Sequence, residues 1–208
     1  MPDGKITSDD RQIIGNGFPN FTGGLSNSFT YKGVGLNITL QYSVGQDVFN
    51  ATAWGIHSIS PSGSGWSYSK DILQSFRPTL YQYDVVTGQK GEVFVEGVAS
   101  NRFPTFMAQR INNTEEIPLD WYIEDASFLR VADVTLSYSL NKKLISKMKI
   151  SNLKFFLTGT NLFVFTNYTG YDPEVNSSRG QASYLMPGLD SQAYPKSRII
   201  SAGVNLTF

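Results

Sequence analysis

Apolar and polar residues alternate in five separate stretches of this chain. The clearest is 36–44, where apolar residues at even positions alternate with asparagine, threonine, glutamine and serine. A period of two is typical of β-strands that have one apolar and one polar face. The stretches that predict strands are 21–31, 36–44, 134–140, 153 to about 163, and 200–208. Helical spacing is visible only briefly, around 142–148.

The predicted strands are about ten residues long, which exceeds the five or six of ordinary globular strands and suits a tilted strand that crosses a bilayer. Their polar positions carry mainly Ser, Thr, Asn and Gly, and aromatic residues gather near their ends. Both features are typical of transmembrane β-barrels. The parity predicts that Ile38 and Leu40 face lipid while Thr39 and Gln41 face the lumen. A soluble β-sandwich is the alternative, although its strands are usually shorter.

The connections between the predicted strands alternate in length. Residues 32–35 and 141–151 form short connections, whereas 45 to about 120 and 167–196 are long. Short turns on the periplasmic side and long loops outside are typical of outer-membrane barrels. We therefore expect 1–19, 46–120 and 167–196 to lie outside the cell and Phe208 to lie at the periplasmic rim.

Five strands cannot close a barrel, because the smallest such barrels have eight and an open edge in lipid leaves backbone groups unpaired. We therefore expect the chain to be the C-terminal part of a longer polypeptide, with Met1 either an internal methionine or an introduced start.

Composition narrows the choice of function. The 208 residues carry 17 Lys and Arg against 17 Asp and Glu, so no basic excess supports nucleic-acid binding. No apolar stretch is long enough for a transmembrane helix, and the first residues lack the apolar segment of a signal peptide. Cysteine is absent, which excludes disulfides and thiolate metal sites.

Several motifs, in order along the chain, resemble segments of the SusC/RagA-type TonB-dependent transporters. The segment 121–130, WYIEDASFLR, with VTLSY at 134–138, is similar to the family's EDASYLRLKNLTLGY. The others are DGKITSDDR at 3–11 with IGN at 14–16, YKG at 31–33, GTNLF at 159–163, YTGYDPE at 168–174 and YPKSR at 194–198. The end, SAGVNLTF at 201–208, resembles the β-signal of outer-membrane proteins.

The resemblance implies an all-β fold, namely about five C-terminal strands of a 22-stranded antiparallel barrel with long extracellular loops. Such a receptor lies in outer-membrane lipid, is energised by TonB-ExbB-ExbD and imports glycans or peptides with a SusD-like surface lipoprotein. We expect 1–208 to be one C-terminal portion of the barrel, with plug domain, TonB box and signal peptide outside it. A secreted carbohydrate-binding β-sandwich is the alternative function.

No residue is predicted to be catalytic, cofactor-binding or metal-binding, and no enzyme activity is expected. The segment from Asp3 to Asp10 resembles half of an EF-hand loop but has an incomplete ligand set, so a polar turn is the main reading. His57 is the only histidine, and the sequence places no catalytic partner beside it. Aromatic residues in or beside the long loop could stack on sugars, pack the loop, or contact the SusD-like lipoprotein that caps such receptors. They are Trp66, Tyr68, Tyr81, Tyr83 and Trp121.

Overall fold

The computed structural model describes residues 12–57, 67–71, 120–145, 150–178 and 187–208, and the backbone alone of 80–82, 93–95, 110–111 and 115–116. The chain forms two compact units. One comprises Met1–Ile14 and Asn50–Tyr122, and the other comprises Gly15–Phe49 and Ile123–Phe208. No helix among these residues is long and apolar enough to cross a membrane.

Strands dominate the described residues. In chain order the elements are β1 (Phe21–Tyr31), β2 (Val34–Val44), β3 (Asp47–Asn50), α1 (Ala51–His57), β4 (Leu80–Gln82), β5 (Val93–Val95), β6 (Arg110–Ile111), β7 (Glu115–Glu116), a 3-10 helix (Asp120–Tyr122), β8 (Ile123–Asp125), β9 (Phe128–Ser139), α2 (Lys142–Ile145), β10 (Asn152–Thr166), β11 (Leu189–Asp190) and β12 (Ile199–Thr207).

The five predicted strands form one antiparallel sheet in the order β1-β2-β9-β10-β12. The all-β prediction is therefore confirmed. The largest difference in the boundaries is in β9, which begins at Phe128 rather than at 134. The strands are 9 to 15 residues long, at or above the 9–11 or so that a tilted transmembrane strand needs.

The register sorts the side chains of this sheet into two faces. Leu25, Leu40 and Val131 are successive cross-strand partners, and Ser26, Thr39 and Asp133 form the neighbouring row. The predicted grouping of apolar and polar positions is therefore confirmed. The apolar face is uncovered among the described residues: Phe163 is 58% exposed and Ile200 is 71% exposed.

The polar face is lined by hydroxyl and amide groups that bond across the strands. Ser26 Oγ lies 3.1 Å from Thr39 Oγ1, and Thr135 Oγ1 lies 2.9 Å from Thr158 Oγ1. Asp133 accepts hydrogen bonds from Thr135 and Thr160 at 3.0 and 3.2 Å. Cross-strand hydroxyl pairs of this kind stabilise a sheet.

A tight turn joins β1 and β2, as the sequence predicts. Lys32 and Gly33 have φ angles of 48° and 88°, the left-handed pair that a two-residue hairpin requires. A Cβ on Gly33 would lie 2.7 Å from the Ser139 carbonyl oxygen, so glycine is needed there. The next short connection contains α2, whose first turn is capped by Asn141 Oδ1, 3.0 Å from the Lys143 amide.

The predicted long loop after β2 contains secondary structure of its own. Asn50 Oδ1 accepts a 2.8 Å bond from the Ala53 amide and so caps α1. Short hairpins pair β4 with β5 and β6 with β7. In the other unit, β11, β3 and β8 form a small sheet in that order. Near it lies a small core of Val48, Ala126 and Tyr168, all 5% exposed or less.

Candidate functional site

Both long connections leave the five-stranded sheet from the same end. There Phe21 pairs with Val44, while Phe128 pairs with Ser43 on one side and with Thr166 on the other. We call this the loop end, and the opposite end, with the Lys32–Gly33 turn, the turn end. The buried polar side chains Gln46, Arg130 and Asp172, with their hydrogen bonds and ion pairs, lie at the loop end.

A bulge in β9 determines which side chains reach this site. Thr39 and Leu40 are adjacent in β2, but their partners Asp133 and Val131 are separated by the extra residue Ala132. In a strand without a bulge, Arg130 would lie on the apolar face with Val134, because residues separated by an even number point to the same side. The bulge instead places Arg130 opposite Gln41, on the polar face.

The register shifts again between β9 and β10, since Thr160 and Phe163 pair with Asp133 and Val131. Asn161 lies in this shift with a φ of 53°, a conformation that asparagine tolerates better than most residues. Its amide donates to the Ser197 carbonyl oxygen at 3.2 Å, which ties the segment before β12 to the bulge.

Arg130 is the centre of a four-residue charge network. The side chain is 2% exposed, and its Nη2 lies 2.6 Å from Asp172 Oδ1 and 3.5 Å from Glu174 Oε2. Lys196 Nζ forms an ion pair with the same Glu174 oxygen. Asp172 is buried away from water, and a buried charge needs a partner of opposite charge. Arg130 is that partner.

Two backbone amides also donate hydrogen bonds to Asp172. Oδ1 accepts from the Glu174 amide at 2.9 Å, and Oδ2 accepts from the Lys196 amide at 3.4 Å. The Asp172 carboxylate therefore links two segments of the last long connection, around Glu174 and around Lys196, to Arg130 in β9.

Gln46 links the first long connection to the same place. Its Nε2 donates to the carbonyl oxygens of Ala126 and Pro173 at 3.1 and 3.3 Å, and its Oε1 accepts from Ser43. The Ala126 amide in turn donates to the Gln46 carbonyl at 2.9 Å. A single buried amide side chain thus satisfies groups from three segments, as buried polar groups require.

Two further contacts hold the segment that follows β10. Tyr168 donates to Asp190 Oδ2 at 2.7 Å, and Glu124 accepts from both the amide and the hydroxyl of Thr169 at 2.8 Å. Burial, with the hydrogen bond to Asp190, raises the pKa of Tyr168 far above its usual value. The phenol therefore remains a donor at every physiological pH.

An open depression of about 470 Å³ lies beside this network at the loop end. Its lining includes Thr22, Gln41, Ser43, Gln46, Phe128 and Glu174. Because Glu174 is paired with Lys196, the surface offers neutral hydrogen-bonding groups rather than net charge. Phe128 is buried, with the Arg130 guanidinium 5.4 Å from the centre of its ring, so it gives little open aromatic surface.

Three motifs that carry the family resemblance come together in this network. WYIEDASFLR supplies Arg130, YTGYDPE supplies Asp172 and Glu174, and YPKSR supplies Lys196. Sequence reasoning identified the motifs but missed their mutual contact. The missed signal is the spacing of three between Val131 and Val134, which marks the extra residue in β9.

His57 lies in the other unit, at the end of α1. Its Nε2 is 3.8 Å from Asp71 Oδ2, and its ring centre is 5.9 Å from that of Tyr122. Burial raises the pKa of Tyr122. A carboxylate near this histidine was not foreseen from sequence, and a separation of 3.8 Å is too long for a hydrogen bond.

The remaining predicted features are only partly described. Tyr68 and Trp121 are 38% and 51% exposed, while the side chains of Trp66, Tyr81 and Tyr83 lie outside the described residues. Met1 and the segment from Asp3 to Asp10 also lie outside them, so the polar turn expected there stays a prediction. The described part of the chain has no cluster of three or more metal-ligating side chains. The absence of catalytic and cofactor residues also stays a prediction.

No protein-family model matches the chain. It is 30% identical over 208 residues to TonB-dependent receptor P3 of Formosa agariphila, which covers 99% of the chain and 18% of the receptor. It is 31% identical over 204 residues to TonB-dependent receptor P39 of the same organism, covering 97% of the chain and 17% of the receptor. TonB-dependent receptor SusC of Bacteroides thetaiotaomicron is 29% identical over 146 residues, covering 66% of the chain and 14% of SusC.

Solved structures of RagAB have the same fold. The RagAB peptide importer in its closed-closed state matches with a TM-score of 0.68 at 21% identity, over 98% of the chain and 19% of that structure's chain. The RagAB peptide transporter matches with a TM-score of 0.65 at 23% identity and the same coverage. The chain thus spans under one fifth of the length of these relatives. The resemblance seen in the sequence motifs is confirmed: the chain belongs to the SusC/RagA-type TonB-dependent receptors and corresponds to a C-terminal part of one.

Proposed function

We propose that this chain forms the last strands of the barrel of an outer-membrane transporter, which imports glycans or peptides into the periplasm. The observation that carries the proposal is the two-faced sheet. No described part of the chain covers its apolar face over the five strands, whereas its polar face is lined with hydroxyls. A soluble β-sandwich would bury such an apolar face, so the structure favours lipid as its neighbour.

The proposal includes the parts of the receptor that precede this segment. A plug, a TonB box and a signal peptide belong to the longer polypeptide, and TonB-ExbB-ExbD supplies the energy. The low coverage of the curated relatives supports this view, because a segment of this length supplies a minor part of such a receptor. Residues 46–120 and 167–196 then lie on the cell surface.

A SusD-like lipoprotein is the proposed partner at the cell surface. Support comes from the similarity to SusC and to the RagAB peptide importer. Glycan and peptide both remain in the proposal, because the neutral depression beside Glu174 offers hydrogen bonds that suit either one.

Cell fractionation tests the proposal. The whole receptor gene is expressed with a surface-loop epitope, and membranes are separated from soluble periplasm, with one marker protein for each fraction. We expect the receptor in the outer-membrane fraction, released only by detergent, and with the SusD-like lipoprotein in the same complex. Recovery of the receptor in the soluble periplasm would overturn the membrane assignment, and recovery without the lipoprotein would overturn the partner assignment.

A further inference from the structure

We propose that Arg130 is a positioning residue that anchors two stretches of the last long connection, 168–174 and 194–198, at the loop end of the sheet. On the proposed function, this anchor holds part of the mouth of the barrel in place.

Burial and charge single out this residue. Arg130 and Asp172 are 2% and 5% exposed, and their contact joins a strand residue to a residue of the connection. Glu174 is shared between Arg130 and Lys196, so two cations balance two carboxylates. Removal of the arginine would leave Asp172 buried without its nearest cation, a far larger loss than that of an exposed ion pair.

The anchored segment has two parts, 168–174 and 194–198. The first is also held by the bonds from Tyr168 and Thr169, which do not involve Arg130. The second is held by Asp172 and Glu174 through the Lys196 amide and side chain, and by the Asn161 side-chain amide at the Ser197 carbonyl. Two of these three contacts involve partners of Arg130, so loss of Arg130 should release the part around Lys196 first.

The position of the segment makes this anchor relevant to the mouth. Arg130 lies on the polar face opposite Gln41, and Glu174 lines the depression that Gln41 also lines. The network thus determines where the stretches around Glu174 and Lys196 lie beside the depression. A released segment would change both the shape and the charge of that depression.

Trypsin provides a direct test, because Lys196 and Arg198 are cleavage sites within the second part. Whole receptor is purified in detergent, and cleavage after these residues is timed for the wild type, Arg130→Met, Arg130→Lys and Asp172→Asn. We expect Arg130→Met and Asp172→Asn to be cleaved about 100-fold faster, since cleavage follows the population of the opened segment. Arg130→Lys keeps the charge but replaces the guanidinium with a smaller ammonium group and should fall between.

Lys154→Met is the matched control, since it removes a cation from the same face near the turn end. Its cleavage rate should equal that of the wild type. Heat resistance on semi-native gels reports the barrel separately, and should be retained in all variants. If Arg130→Met does not assemble, Asp172→Asn and Glu174→Gln give the answer, because both leave the strand unchanged. Cleavage of the assembled variants at the wild-type rate would overturn the proposal, whatever the cellular location of the receptor.

Discussion

At the scale of single residues, one extra alanine decides the environment of an arginine. Ala132 is absorbed in the bulge of β9, and Arg130 consequently lies opposite Gln41 instead of among apolar side chains. An arginine on a lipid-facing surface costs up to about 2–4 kcal/mol at the bilayer midplane. On the polar face it instead has two carboxylates within 3.5 Å. The bulge therefore converts a charge that lipid would penalise into the centre of a network.

Substitutions in β2 test the assignment of the two faces. Leu40 lies in the apolar row with Leu25, whereas Thr39 lies beside Ser26 and opposite Asp133. We expect Leu40→Arg to cost about 2–4 kcal/mol near the midplane, and Thr39→Arg much less, because a polar lumen and a carboxylate receive the new charge. Urea unfolding of whole receptor in lipid vesicles measures both. Equal losses from the two substitutions would show that the faces are assigned wrongly.

At the scale of elements, the sequence predicts the strands well and their irregularities poorly. Alternation over 36–44 predicts which side chains of β2 share a face and nearly predicts where the strand begins and ends, because a two-residue period of this length is typical of a β-strand alone. The start of β9 was missed because alternation breaks at Ala132, where the strand continues through a bulge. The contacts of Arg130 could not be predicted, since Asp172 and Lys196 are distant in sequence and meet only through the register of β9 and β10.

Deletion of single residues tests the role of the bulge. Removing Ala132 should leave every other β9 side chain on its present face, because Val131 and Asp133 then become neighbours, as their partners Leu40 and Thr39 are. Removing Thr135 instead reverses the facing of the strand before it and turns Arg130 towards the apolar side. We expect the first deletion to retain most of the assembled receptor. The second should lose most of it, because it turns the polar side chains of that part of β9, Arg130 among them, towards lipid. Heat-resistant receptor in isolated outer membranes is the measure. Similar yields from the two deletions would contradict the role of the bulge.

At the scale of the whole molecule, the five-stranded sheet has two edges whose backbone groups require partners. β1 and β12 are the outer strands, and each pairs with one neighbour among the described residues. On the proposed function these edges would lie in lipid, where unpaired backbone groups are costly, so we expect further strands of the whole receptor to pair with them. The relatives are more than five times as long as this segment, which leaves chain for such strands.

The end of β12 is where packing and assembly can be separated. The Thr207 carbonyl accepts from the Ser151 amide and hydroxyl at 2.8 and 3.0 Å, so the strand end is held through its backbone. Phe208 is 86% exposed, and the strand parity places it on the apolar face with Val204 and Leu206. Its ring therefore contributes little to packing within this segment.

We expect Phe208→Ala to impair assembly far more than stability. If the terminal aromatic residue is read by the assembly machinery, the whole receptor with this change should accumulate as unassembled or degraded chain. The molecules that do insert should keep their heat resistance on semi-native gels, because few contacts are lost. Leu206→Ala is the control, since it shortens an apolar side chain on the same strand and face. It should insert normally and lose a little heat resistance. Normal insertion of Phe208→Ala with reduced heat resistance would instead identify Phe208 as a packing residue, and the β-signal interpretation would be wrong.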